Sequence, residues 1–253
     1  MGNNHQQKDR EIVLLRVESE SVPGNTIDLA IAIAASVQSQ VHGLFVENQD
    51  LLRVASLPFT REISSTTARE HQTSLDQMQR SLRAVAAQFR KSLEQAALAS
   101  QVPWSFDYVS EREDEAEWTS RHGITYTIVG NRSATQKRPR QFRAVLRVLL
   151  IENHSPQLLH ALGVVLQWFK QDRVEVTVIH DQANGEQKAK LAAYIKGLEQ
   201  PIRLIELGRN ELVKLLTETA ASYDCVIISK YESLDNQLLI LKYLTCPVII
   251  VSR

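Results

Sequence analysis

Glycine is scarce in this chain, with 9 in 253 residues, and it is scarcest where a phosphate-binding loop would need it. No P-loop, GxSxG, HExxH or CxxC pattern occurs, so nucleotide hydrolysis, serine hydrolysis and metal chemistry lack a local signature. Cysteine is nearly absent. Cys225 and Cys246 stand in or beside apolar runs without paired spacing, which reads as buried thiols in a reducing compartment and predicts a cytoplasmic protein. No apolar run approaches a bilayer span, and the longest, Ile27 to Val37, is broken by small and polar residues. Charge of one sign is missing too. Lys plus Arg and Asp plus Glu are 29 each, so no global field draws nucleic acid or an anionic membrane. The polar start, MGNNHQQKDR, carries no apolar segment of a secretory signal, and residues 1–10 are expected to be a disordered tail.

What is present is an ordinary globular composition, 43% apolar and 23% charged, patterned as alternating strands and helices. Glu11 to Val17 is a run of Ile, Val and Leu without clean alternation, as in a strand covered on both faces. Asn25 offers an N-cap for a helix to about Gln40, and Val41 to Glu47 is the next strand. Strand, helix, strand at this spacing predicts a right-handed crossover and a parallel sheet. Asp50 to Ile63 is too apolar for a solvated loop and too broken for one regular element, so it must pack on something. Thr67 and Glu70 have capping-box spacing, and Leu75, Met78, Leu82, Val85, Phe89, Leu93 and Ala96 follow at intervals of three and four. This predicts a long amphipathic helix over residues 67–100, longer than a five-strand sheet needs for cover, with one end expected to project into a partner subunit or over the other repeat. Strands at Trp104 to Val109 and Ile124 to Val129 flank a polar helix near Glu113.

A second series begins near Arg147, with strands at Val148 to Glu152, Val174 to His180, Ile202 to Leu207, Cys225 to Ser229 and Val248 to Val251 separated by four helices. Val13 to Ser21 aligns with Val148 to Ser155 when one residue is skipped, Glu18 matching Glu152. The first series stops after four strands, so its fifth is missing or borrowed. The reading is α/β: two doubly wound, mainly parallel-sheet domains at residues 11–144 and 145–253.

Leu207-Gly208 leading into a helix, Ala220-Ala-Ser-Tyr-Asp224-Cys-Val-Ile-Ile-Ser, and Leu244-Thr-Cys-Pro247-Val-Ile-Ile-Val carry a further signal, as does Val41-His-Gly-Leu-Phe-Val-Glu. With these residues the chain resembles the universal stress protein family, in tandem. The resemblance implies an adenine nucleotide alpha hydrolase-like fold with the two domains apposed as a pseudo-dimer. Family members that bind ATP have a loop after the fourth strand reading glycine, two residues, glycine, about nine residues, then glycine with serine or threonine, whose backbone amides approach phosphate. Here Gly130 is followed by Asn131, Arg132 and Ser133 with no Gly-Ser pair beyond, and the second loop, Ser229 to Ser233, has no glycine. An aspartate that those members use at the end of the first strand is replaced by Glu18 and Glu152.

Other residues admit a chemical and a plain reading. The basic cluster Arg132, Lys137, Arg138, Arg140, Arg143 and Arg147 is either a phosphate-holding patch or a solvated interdomain linker. His154 with Glu152 and Ser155, and His180 with Asp181, lie at strand ends where doubly wound sheets place ligands, although Ser155 before Pro156 also reads as N-cap then N1. A receiver-domain reading fails because Leu207 and Gly208 stand where a phosphoacceptor aspartate belongs. The expectation is a non-catalytic, stress-related binding or interaction module with no cofactor. It would partner another protein or a second copy, with Asp50 to Ile63 and the long helix as one possible docking surface. The alternative is an ATP- or AMP-binding member, with slow ATPase activity, using Glu18, Gly130, Arg132 and Ser133.

Overall fold

The computed structural model describes residues 12–18, 24–57, 61–63, 70–72, 74–109, 124–129, 145–152, 173–180, 202–206, 223–229 and 246–251. Its elements are β1 (Ile12–Glu18), α1 (Gly24–Ser36), β2 (Gln40–Val46), α2 (Gln49–Ala55), β3 (Arg61–Ile63), β4 (Glu70–Gln72), α3 (Leu75–Ala99), β5 (Trp104–Val109) and β6 (Ile124–Val129), then β7 (Val145–Glu152), β8 (Arg173–His180), β9 (Ile202–Glu206), β10 (Cys225–Ser229) and β11 (Val248–Val251). The expected helices after β7, β8, β9 and β10, the acidic helix near Glu113 and the tail fall outside the described residues.

Nine strands form one sheet in the order β5-β2-β1-β6-β11-β10-β7-β8-β9. Seven of its eight neighbouring pairs are parallel, and β6 with β11 is antiparallel. Both sides of that seam carry the order third, second, first, fourth strand, and β11 continues the β7–β10 series as a fifth. The edge of β6 not taken by β1 is therefore covered by the last strand of the other series, Ile128 opposite Ile249 and Val129 opposite Val248. This is where the short first series finds its fifth neighbour.

The strands read as apolar runs because both faces are covered. Val13, Leu15, Val17, Val41 and Phe45 point to the face on which α1 and α3 lie, in one core continuous with Ile128, Ile249, Ile227, Leu150 and Val176 across the seam. Leu14, Leu44, Val46 and Val109 make a separate cluster on the opposite face. Helix α3 buries Leu82, Ala86, Phe89, Leu93 and Ala97, and Phe89 meets Phe106 edge to face at 5.6 Å. Its 25 residues span about 37 Å, against about 20 Å for a six-residue strand. In its first turns Leu75 is exposed and Met78 packs partly buried against the core, and full burial starts at Leu82.

Gly43 is required by this packing. A Cβ there would sit 2.5 Å from Leu93 Cδ2, 3.2 Å from Phe106 and 3.3 Å from Phe89. Elsewhere other residues take positions that favour glycine. α1 and α3 both close on a glutamine in the left-handed region, Gln38 at φ 52 and Gln101 at φ 55. The next amides, Ser39 N–H and Val102 N–H, reach back to the carbonyls of Ala34 at 2.8 Å and Ala97 at 2.9 Å, as in a Schellman motif.

Several boundaries differ from the sequence expectation, among them the start of β7, at Val145 rather than Val148. Asn25 lies inside the first turn of α1 rather than at its cap, and α1 ends at Ser36, because the Gln38 turn stops it before Gln40 enters β2. The Thr67–Glu70 box does not start α3. Glu70 pairs with Ile63 in a two-stranded antiparallel ribbon, and Ser74 caps the helix, its Oγ accepting from Gln77 N–H at 3.3 Å. Within Asp50 to Ile63, Asn48 caps α2 by accepting from Leu51 N–H at 3.1 Å. Leu52 and Ala55 are buried, while Leu51, Val54 and Leu57 face outward.

Candidate functional site

In a doubly wound sheet ligands bind at the carboxyl ends of the parallel strands, so the residues ending β1, β2, β5 and β6 are the place to look. Glu18 ends β1. Two residues earlier on the same strand, Arg16 projects to the same face, because side chains alternate along a strand. The guanidinium Nη2 of Arg16 donates to Glu18 Oε1, and the two side chains are only 19% and 13% exposed. This pair lies on the face away from α1 and α3. Arg16 is in register with Val129, the last residue of β6. Gly130, Arg132 and Ser133 follow Val129 in the sequence and lie outside the described residues, as does His154.

On the other face of the same edge is a cluster that the sequence did not single out. Glu47, the residue after β2, is buried. Its Oε1 accepts from the Tyr108 hydroxyl at 2.7 Å, its Oε2 from Gln49 Nε2 at 3.5 Å, and its backbone N–H donates to Val109 C=O at 2.8 Å. Tyr108 stacks on Phe45 with ring centroids 5.4 Å apart. Burial, then the hydrogen bond to Glu47 and its charge, push the Tyr108 phenol well above its ordinary value, with Arg83 opposing. Tyr108 is therefore a neutral donor holding a buried carboxylate. Alternation along β5 places Tyr108 on the Phe45 face, and that was the readable signal.

α1 begins at this edge as well. Thr26, in its first turn, is fully buried, and its hydroxyl has no partner among the described residues. Farther along the sheet, His42 of β2 bonds Ser105 of β5 at 2.7 Å through Nδ1, and its Nε2 lies 3.4 Å from Asp107 Oδ2. The residue types are those of a Ser–His–Asp triad. The imidazole is 5% exposed on a sheet face, however, and ties β2 to β5 in mid-strand.

In the second series the register sets Glu152, His180 and Glu206 in one row at the carboxyl ends of β7, β8 and β9. Of the basic cluster, Arg147 alone is described. Its Nε donates to Glu175 at 3.1 Å and its backbone is clipped to Asp224, so it serves the β7–β8 and β7–β10 ladders. Among the described residues, no group of three His, Cys, Asp or Glu side chains converges to hold a metal ion. No helix among them is long and apolar enough to cross a membrane.

The strand order and the helices on one face can be set beside solved structures. The crystal structure of a universal stress protein from Archaeoglobus fulgidus matches with a TM-score of 0.50, covering 96% of this chain and 96% of its own, at 10% sequence identity. The fold is like that of a universal stress protein. No family model and no curated protein matches the chain by sequence. At such identity the likeness to this universal stress protein concerns the course of the backbone. Which residues do chemistry must be argued from the side chains above.

Proposed function

We propose that the chain is a tandem universal-stress-like protein that acts as a stress-related binding and interaction module without catalysis, its nucleotide loops degenerate. The observation that carries this reading is the Arg16–Glu18 ion pair. In ATP-binding relatives, the family resemblance implies, the acid ending the first strand serves the nucleotide. Here that acid is engaged by a cation on its own strand, in a largely buried pair that a ligand would have to break. Displacing Arg16 would cost the ligand a charge-assisted hydrogen bond of about 1.5 to 3 kcal/mol. The loop sequences agree, since Gly130 lacks a second glycine and Ser229 to Ser233 has none.

The antiparallel β6–β11 seam supports the tandem reading, with two series of one strand order joined as a pseudo-dimer within one chain. Cys225 and Cys246 are buried and not joined in a disulfide, which fits a reducing, cytoplasmic setting. A second reading, an ATP- or AMP-binding protein using Gly130, Arg132 and Ser133, has one observation in its favour: the orphan hydroxyl of Thr26, a donor at the correct edge of the sheet.

Native mass spectrometry of the freshly purified chain separates the two. The expected spectrum is that of protein free of small molecules. A mass increment matching one adenine nucleotide per chain would overturn the proposal and favour the second reading.

A further inference from the structure

No further inference is drawn: the strongest candidate, the His42–Ser105–Asp107 cluster on the sheet face between β2 and β5, has the residue types of a nucleophilic triad, but its imidazole is buried and engaged in joining the two strands, and nothing among the described residues shows what substrate it would meet.

Discussion

The backbone N–H of Arg147 donates to the carboxylate of Asp224 at 2.9 Å, and the backbone N–H of Asp224 donates to the carbonyl of Arg147 at 2.8 Å. This reciprocal clip fixes the start of β10 against β7, so the aspartate in the sequence that most resembles the stress-protein family has a structural task in this chain. Asp224→Ala leaves the exposed Arg147 N–H to water and is expected to lower stability by about 0.5 to 1.5 kcal/mol. Arg147→Ala keeps the backbone bonds and removes only the half-exposed ion pair with Glu175, which should change stability by less than about 1 kcal/mol. Urea midpoints of the two variants check the contrast, and equal midpoints would show that the clip contributes little.

Glycine placement yields a pair of opposite effects. Gly43→Ala pushes a methyl group to 2.5 Å from the Cδ2 of Leu93, a fully buried residue of α3, so a loss of about 1 to 3 kcal/mol is expected. Gln101→Gly relieves a left-handed residue at the end of α3 and should gain about 0.5 to 1 kcal/mol. Thermal melting of the two variants should therefore move in opposite directions. A stabilised Gly43→Ala would mean that α3 sits farther from β2 than described.

The seam makes the two strand series depend on one strand. Ile249 is fully buried on β11, between β10 and β6. Ile249→Ala should cost about 2 to 5 kcal/mol. Because β11 serves both neighbours, hydrogen exchange should quicken at Ile128 as well as at Ile227. Acceleration confined to β10 would show that β6 does not rely on the seam.

Cys225 makes stability fall on the alkaline side. Burial, then the neighbouring Cys246 and Asp224, raise its thiol well above the ordinary value. The stability tied to its bound proton is fully present below the unfolded value of about 8.5 and is lost as pH rises toward the folded one, because the unfolded chain releases its proton first. The urea midpoint should begin to fall near about pH 8.5 and keep falling as pH rises toward the folded value, and Cys225→Ala should flatten that drop. A variant with the same slope as the wild type would remove Cys225 as the cause.

Much of this fold was legible because its strands are covered on both faces and so read as Val- and Ile-rich runs; Cys225–Ser229 and Val248–Val251 fall where the sequence put them. The ribbon strand Glu70–Gln72 was not legible, since three polar residues carry no burial signal and a capping pattern overlaps them. Nor was the seam, because an apolar strand has the same composition whether its neighbour runs parallel or antiparallel. At the candidate site, Glu18 stood out as an acid ending a strand, and the period of two already placed Arg16 beside it. Glu47 and Tyr108 are 61 residues apart, and only folding brings them together.

The most direct test of the central claim is thermal melting of the full chain with and without millimolar Mg-ATP. A ligand present at a hundred times its dissociation constant stabilises the native state by about 2.7 kcal/mol, which moves the melting temperature by several degrees. The account predicts an unchanged melting temperature, because it takes Glu18 to be held by Arg16 and the sequences after Val129 and Ile228 to lack the glycine spacing of a phosphate loop. A rise that saturates with ATP concentration would contradict it.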